Sequence, residues 1–425
     1  MSAQAKPAQL IEPWFASFAL VNGSAVGLVP ILLPLVAIRY GISQVGLVMG
    51  AFNLGAFAAP LTGNLADRYH SYRLLTAGCA AACAASLWLF PLAGPWQEVL
   101  LALLNGAGFA GAVTVANLLI VERHPKAQWN QRLGWLETSL SVGQGGGLLL
   151  AAWLAGLPPR PALLGAAIVP ASGIPLALLL IPGQRPAAPR PFPAHLLTSV
   201  GHVGEWGPAS PSRTHHLSHR RSGAGFRTVL QGRFGWFLAA WMTAFAGAAI
   251  VFALYPVLFR SAFAVPPHIS ALAFAAIVFA SLPLFEVAGR VSQRHGPAAA
   301  LAGALAGRVI LLTVLAVLAA VGHVSPALPL VAFAGIMFAW SFLSVASPDL
   351  TGLLVPGDEG DAQGALNASS GLAGLVGSVV GGFAAARWGY PVALGIGAAA
   401  VAVGLTIFAT TVMRRAPSGQ DLPPG

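Results

Sequence analysis

Charged side chains are scarce in this sequence. Only 8% of its 425 residues are Asp, Glu, Lys or Arg, whereas 56% are hydrophobic, and the mean hydropathy is +0.76. A water-soluble globule cannot hide so much apolar surface. The composition therefore excludes an ordinary soluble domain and indicates a chain whose solvent is lipid.

Cysteine and catalytic motifs are lacking as well. The two cysteines, Cys79 and Cys83, are too few for a disulfide framework and have no second pair with which to form a zinc site. The phosphate-cradling pattern G-x-x-x-x-G-K-[ST] is absent from the sequence, which disfavours an ATP-driven pump. No constellation of nucleophiles suggests an enzyme, so neither a cofactor nor a catalytic residue is expected. After Lys6 the chain enters a long apolar run without an A-x-A-like cleavage site, so this run is expected to be retained.

Long apolar runs fill the rest of the chain. A bilayer core of about 30 Å requires roughly 20 apolar residues per helix, and the sequence divides into about twelve such runs. The predicted spans lie near 14–38, 43–65, 73–94, 97–121, 133–157, 162–181, 234–258, 268–289, 298–321, 327–347, 363–386 and 390–412.

One polar segment divides these spans into two sets of six. Residues 183–233 are rich in Pro, Ser, His and Arg, and they predict a linker between an amino-terminal domain, 1–182, and a carboxy-terminal domain, 234–425. The basic run 213–233 would suit anionic lipid headgroups. His215, His216 and His219 have no acidic or Cys partner nearby in the sequence, and we expect solvated side chains rather than a metal site.

The basic residues lie mostly between the apolar runs, although the formal net charge of +10 could suggest nucleic-acid binding. Cytoplasmic loops of membrane proteins carry an excess of Lys and Arg. With both termini in the cytoplasm, the outer loops would hold only Arg39, Arg160, Arg260 and Arg387. The charge therefore predicts a multi-pass protein of the inner membrane with cytoplasmic termini and no nucleic-acid partner.

The two halves of the sequence resemble each other. Trp14-Phe15 and Pro34 align with Trp236-Phe237 and Pro256, and further matches recur about 222 to 230 positions apart. Six helices followed by six in the same orientation form a parallel duplication. The sequence predicts an all-α membrane protein of two six-helix bundles related by a pseudo-two-fold repeat.

A short motif after the second span carries a family resemblance. Gly63-x-Leu65-Ala66-Asp67-Arg68, followed by Arg73, resembles the signature loop of the major facilitator superfamily. Its counterpart after the eighth span, with Gly289, Arg290 and Arg294, departs by having Gln293 in place of the Asp. The resemblance, which points to the drug or metabolite efflux-like group, implies a monomeric transporter of a small-molecule solute.

The resemblance also implies a role for these residues. In the family the loop docks between the two halves and stabilises one state, which here puts Asp67 near the start of the eleventh span. Gly63, Asp67, Arg68, Arg73, Gly289, Arg290 and Arg294 are the predicted gating residues. The alternative is that they are ordinary basic flanks of membrane spans.

Three ionisable residues fall inside predicted spans, where charge is expensive and therefore suggests function. Glu137 is expected about a turn into the fifth span and Glu286 near the cytoplasmic end of the eighth, and either could bind protons or serve as an interfacial anchor. Arg308 is expected near mid-depth of the ninth span, in a structural pair with Glu286.

Neutral polar residues provide candidate solute contacts. The family lines its cavity with helices that here contain Asn22, Asn53, Asn105 and Tyr255. Each of them could equally form a hydrogen bond between helices.

Together these features predict a secondary transporter that works by alternating access. Few deep charges favour an uncharged or amphiphilic solute, and proton-driven export is the leading expectation. Transport of sugars or other neutral metabolites remains open, as does a receptor or scaffold that transports nothing.

Overall fold

The computed structural model describes residues 11–69, 71–125, 128–183, 232–322, 324–355 and 359–413. Within these ranges every regular element is a helix. Residues 184–231, which hold the histidines and most of the predicted linker and its basic run, lie outside the described residues.

Within the described ranges twelve helices are long enough to cross a bilayer. In chain order they are α1 (Phe15–Tyr40), α2 (42–69), α3 (Tyr72–Leu92), α4 (Pro95–Arg123), α5 (Trp129–Leu154), α6 (Pro159–Leu180), α7 (Gly232–Phe263), α8 (Pro267–His295), α9 (Pro297–Val321), α10 (Ala327–Leu354), α11 (Glu359–Trp388) and α12 (Tyr390–Met413). Eleven are also apolar enough to span a membrane, and α5 is not among them because it carries Arg132, Glu137 and several amide and hydroxyl side chains. The predicted all-α membrane fold is confirmed.

Successive helices run in opposite directions and define two faces of the molecule. The start of α1, the end of α6 and the start of α7 lie on one face, called the linker face below. There Arg73 at the start of α3 donates to the carbonyl of Ile181, and Arg233 donates to that of Val412 at 2.8 Å. On the opposite face Arg39, near the end of α1, donates to the carbonyl of Ala93 at 2.8 Å.

The helices form two bundles with the same internal packing. In the first, α3 packs against α4 and α6, and in the second the equivalent α9 packs against α10 and α12. The bundles meet where α2 packs on α11, α5 on α8, and the second part of α1 on α7. Because α2 is equivalent to α8 and α5 to α11, these contacts obey the pseudo-two-fold relation that the sequence repeat predicts.

The helix α1 is interrupted by a π-helical turn, Gly23–Leu28. Pro30 has no N–H to donate to the preceding turn, which favours such a break. Gly23 lies against Gly143 and Gly147 of α5 so closely that a Cβ on any of the three would overlap backbone atoms. Glycine is therefore required here for α1 and α5 to touch through their backbones.

Candidate functional site

The two bundles touch tightly in the half of the molecule near the opposite face. Gly46 of α2 lies against Gly382 and the carbonyl of Ser378 in α11, where a Cβ would overlap that oxygen. One to two turns along, the Nδ2 of Asn53 lies 3.3 Å from the Oγ of Ser378. This backbone-to-backbone contact closes the interface at that end.

The part of α2 that continues toward the linker face is exposed on one side. A 3₁₀ turn, Gly55–Ala58, joins two α-helical parts, and residues 46, 50 and 53 share one face of the first part while residues 61, 64 and 68 share one face of the second. Gly46, Gly50 and Asn53 are buried, but Phe57 is 46% exposed, Leu61 is 65% exposed, and Asn64 and Arg68 are exposed. The ring of Phe57 still lies beside Gly371 of α11, so the two bundles separate along α2 beyond Phe57.

The contact between α5 and α8 has the same form. A Cβ on Gly145 of α5 would overlap the ring of Phe279 in α8, so the helices touch there. Glu286 and Arg290 lie on the same stripe of α8, nearer the linker face, and their side chains are 73% and 67% exposed. They form an ion pair of 2.5 Å between Glu286 Oε1 and Arg290 Nη2.

A polar stripe on α5 lies beside this opening. Glu137, Ser141 and Gln144 share one face of the helix by their spacing. Glu137 is half-buried and lies about two turns into α5, because the helix begins at Trp129 rather than at the predicted 133. Among the described residues Glu137 has no hydrogen bond or ion pair.

Three of the four predicted solute contacts bond within their own bundle. Asn22 donates to the carbonyl of Leu140 at 2.7 Å, and Asn105 donates to the Oγ of Ser86 at 2.7 Å and to the carbonyl of Cys83 at 3.2 Å. The hydroxyl of Tyr255 donates to the carbonyl of Ser270 at 2.8 Å. Asn53 is the member of this set that lies at the contact between the bundles.

Asn117 is a residue that the sequence prediction did not select. It lies in α4, is 3% exposed, and neither atom of its amide has a hydrogen-bond partner in the described part of the chain. A buried amide without partners costs about 1–3 kcal/mol per group and is usually satisfied by water or a ligand. The sequence gives no signal for this, since an unpaired Asn and a paired Asn look alike in an apolar run.

The signature residues lie mostly on helical turns, because the helices extend further than the predicted span ends at 65 and 289. The helix α2 continues to Tyr69 and α8 to His295, which places Gly63, Arg68, Gly289, Arg290 and Arg294 on final helical turns. The turns continue because small residues such as Ala66 and Ala288 keep packing inside the bundles. The helix α8 ends only at Gly296, whose φ of 84° suits glycine.

The basic members of the signature have different surroundings. The guanidinium of Arg68 lies 5.5 Å from the ring centroid of Tyr69, and Arg73 donates to the carbonyl of Ile181. Arg294 is exposed at the end of α8. The side chain of Asp67 is outside what the structure describes.

Arg308 lies near mid-depth of α9 and is 1% exposed. Its guanidinium carbon is 5.8 Å from the ring centroid of Trp340 in α10, within cation–π range. The predicted pair with Glu286 is wrong, because Glu286 is on the exposed stripe of α8 and pairs with Arg290 one turn away.

A charged cluster at the linker face holds the segment before α1 against the α4–α5 connection. The Oε1 of Glu12 accepts from Arg132 at 2.6 Å and lies 2.7 Å from the Nε2 of His124, while its Oε2 accepts from Trp14 at 2.6 Å. Burial lowers the pKa of His124; Glu12 opposes this shift, but its carboxylate is shared with Arg132. The sequence prediction missed this cluster because its members are far apart in the chain.

A second cluster fastens the opposite face of the first bundle. Glu98, fully buried in the first turn of α4, accepts from Arg39 at 2.8 Å and from Gln44 at 3.2 Å. The cluster joins α1 and α2 to the α3–α4 connection and has a structural role. Elsewhere, the described residues contain no group of three His, Cys, Asp or Glu side chains that could hold a metal.

The family model of the Major Facilitator Superfamily matches residues 14–347. The chain belongs to the major facilitator superfamily. This membership makes it a transporter by family rather than an enzyme, as predicted.

Solved structures of transporters resemble the whole chain. The nucleoside transporter NupG has a TM-score of 0.71 at 15% identity, over 94% of this chain and 97% of that one. A bacterial homologue of the human lysosomal transporter Spinster, inward-facing and occupied, has a TM-score of 0.68 at 14% identity, over 98% and 100%. The human organic anion transporter MFSD10 (TETRAN) has a TM-score of 0.58 at 17% identity, over 95% and 100%. At these identities the similarity establishes the fold alone, and no curated protein sequence matches this chain.

Proposed function

We propose that this superfamily member is a secondary active transporter that moves a small solute by alternating access, and that the present conformation is open at the linker face. The observation that supports this is that α2 packs on α11 from Gly46 to Phe57 and is exposed beyond it at Leu61, Asn64 and Arg68. A solute path that opens at one end while a backbone contact closes the other is the arrangement alternating access requires. The moving units are the proposed domains 1–182 and 234–425, joined by the segment 183–233.

The linker face is proposed to be cytoplasmic in the inner membrane. Arg39, Arg160, Arg260 and Arg387 are the basic residues near the helix ends of the opposite face, whereas most of the other basic residues lie toward the linker face. That asymmetry agrees with the excess of Lys and Arg in cytoplasmic loops. Both termini would then be cytoplasmic, and the basic run before α7 would meet anionic lipid headgroups.

The proposed solute is neutral or amphiphilic. Among the described residues the charges at the opening are Glu137, the Glu286–Arg290 pair and, at its linker-face rim, Arg68, and the other polar groups named there are amides and hydroxyls. A site of this kind selects by shape and hydrogen bonds more than by charge. Asn53 is the strongest candidate contact of the predicted four, because its hydrogen bond to Ser378 crosses between the bundles and its Oδ1 has no partner among the described residues, whereas Asn22, Asn105 and Tyr255 donate within their own bundles.

Proton coupling is proposed to reside at Glu137. This carboxyl is half-buried beside the opening and has no ion pair among the described residues, so it can exchange a proton as the path opens and closes. Asp67, Arg68 and Gly63 are proposed to close the linker face as a latch on α11. A single chain contains both bundles and the interface between them, so a monomer suffices.

The test is solute flux in proteoliposomes under an imposed pH gradient. The panel contains cationic amphiphiles and neutral sugars, with nucleosides and organic anions added because transporters of similar fold carry them. We expect one class to accumulate, and Glu137→Gln to abolish gradient-driven accumulation while leaving solute exchange across the membrane intact. Thr138→Ala, on the neighbouring exposed position, is the matched control and should transport normally.

Two outcomes would change the proposal. Gradient-driven accumulation that survives Glu137→Gln would remove this residue as the coupling acid. Specific binding without flux of any solute would favour the receptor or scaffold alternative.

A further inference from the structure

The helix α4 carries a buried amide whose donor and acceptor are both unused. Neither the Nδ2 nor the Oδ1 of Asn117 has a hydrogen-bond partner in the described part of the chain. The buried amides of Asn53 and Asn105 differ, because their Nδ2 atoms lie 3.3 Å from the Oγ of Ser378 and 2.7 Å from the Oγ of Ser86. Leaving both groups of an amide unpaired is costly, and such groups are usually satisfied by a ligand or by water.

Asn117 points away from the outer helix of its bundle. Gly108 of α4 meets α3, where a Cβ would overlap the carbonyl of Cys79. Asn117 lies nine residues further along, which at 3.6 residues per turn is two and a half turns, on the opposite side of the helix. Since α3 packs mainly on α4 and α6, that opposite side of α4 faces the interior of the molecule.

The residual exposure of α4 marks a space along this side. Every residue from 109 to 120 is buried, and the most exposed side chains among them are Val113 at 6%, Phe109 at 5% and Asn117 at 3%. These three residues are four positions apart and therefore share one face of the helix. The face that holds the unused amide is thus the face of α4 that borders accessible space.

The chemistry of this face changes along the helix. At the deep end the ring of Phe109 stacks on that of Phe52 in α2, with centroids 6.3 Å apart. Val113 follows one turn nearer the linker face, and Asn117 follows one turn beyond it. Asn117 is six residues, about 9 Å, from the end of α4, in the half of the molecule where the bundles are apart.

An amide presents a donor and an acceptor side by side. Its N–H groups and its carbonyl oxygen are complementary to a second amide edge, in which a carbonyl and an N–H also lie next to each other. A carboxylate or an ammonium group would use only one half of this pair. The aromatic and aliphatic side chains on the same face suit the flat or apolar body of such a compound.

We propose that Asn117 recognises the transported solute, and that this solute is a neutral compound with an adjacent carbonyl and N–H, such as a primary amide, a lactam or a heterocyclic base. The amide of Asn117 pairs with these two groups, and the rest of the solute lies along Val113 and Phe109. This inference rests on the proposed transport function and names the class of solute for it.

The experiment compares pairs of probes that differ by methylation of the N–H. The pairs are uridine and 3-methyluridine, benzamide and N,N-dimethylbenzamide, and caprolactam and N-methylcaprolactam. Binding to the purified full chain is measured from the rise in the midpoint of thermal unfolding over a concentration series. For at least one pair we expect the parent to bind the unmethylated probe about tenfold more tightly, because methylation leaves the carbonyl of Asn117 unpaired.

Two variants of α4 separate recognition from packing. Asn117→Leu should bring the ratio of the two dissociation constants to about one, because the group that distinguishes the probes is lost. Asn105→Leu is the matched control, since it removes a buried amide from the same helix whose donor is bonded to Ser86 inside the bundle. It should lower stability and leave the tenfold ratio unchanged.

The outcomes distinguish the recognition of the solute from its transport. A parent that binds none of the probes, or binds both members of every pair equally, would overturn the proposal, as would a preference that survives Asn117→Leu. A preference that is lost in Asn117→Leu, together with an absence of flux for the same probe in proteoliposomes, would support the site and count against the proposed transport.

Discussion

Two asparagines of α4 are both buried yet have different surroundings. Asn105 donates to Ser86 and Cys83 of α3, whereas the amide of Asn117 has no partner among the described residues. A buried amide left unpaired is a stability cost that proteins retain mainly where water or a ligand uses it. We therefore place Asn117 with the solute path rather than with the packing.

Substitution by Leu, which has the same branching at Cγ, separates these roles. Asn117→Leu should raise the free energy of unfolding by about 1 kcal/mol and lower solute affinity, because the unpaired amide and its ligand contact are lost together. Asn105→Leu should destabilise the protein, since it leaves the buried Ser86 hydroxyl and Cys83 carbonyl without this donor. Thermal unfolding and solute binding on the same preparations check both, and a destabilised Asn117→Leu with unchanged affinity would contradict the assignment.

At this scale the sequence indicates which residue types are unusual but not their partners. Glu137 and Arg308 stand out because charge is rare in apolar runs. The partner of Glu286 was predicted wrongly as Arg308, because helix rotation decides which neighbours meet. For the same reason the sequence does not indicate the Glu12–His124–Arg132 and Arg39–Glu98–Gln44 clusters, because their members come together only through tertiary packing.

At the scale of helices, the contact between α2 and α11 depends on glycine. Gly46→Leu should prevent closure at the opposite face, because the side chain would meet backbone atoms of Ser378 and Gly382 that cannot move aside. The equilibrium should then favour a closed linker face, and thiol labelling of Asn64→Cys from that side should slow several-fold. The readout is the labelling rate in liposomes of known orientation.

Gly395→Leu is the matched control for that substitution. Gly395 lies in α12 with open space where a Cβ would be, so its replacement should leave the labelling of Asn64→Cys unchanged. Equal labelling rates in Gly46→Leu, Gly395→Leu and the parent would mean that the α2–α11 contact does not control the opening.

Helix number and order were predictable because bilayer thickness fixes the length of each apolar run. The ends of the helices were less predictable than their number. The helix α8 continues beyond its predicted end at 289, and α10 continues through Pro348 beyond its predicted end at 347. Polar residues in the last turns of these helices suggested loops, although helical packing continues to the linker face. The helix α5 is less apolar than the other eleven spans. Part of its polarity comes from the stripe of Glu137, Ser141 and Gln144 that is proposed to function.

At the scale of the whole molecule, the repeat and the family follow from the sequence, while the conformation does not. The aligned halves predict two equivalent bundles, and the family match and the similar transporter structures agree with that fold. Which end of the interface is closed depends on small free-energy differences between two packings of the same surfaces, which no periodicity records.

The most direct test of the account follows both ends of the molecule at once. One pair of spin labels, at Tyr69→Cys and Leu353→Cys, reports the separation of α2 and α10 at the linker face. A second pair, at Trp96→Cys and Leu328→Cys, reports the separation of α4 and α10 at the opposite face. All four positions are exposed. If the protein works by alternating access, adding a transported solute shortens one distance and lengthens the other in the same fraction of molecules. Two distances that stay fixed, or that change in the same direction, would contradict it.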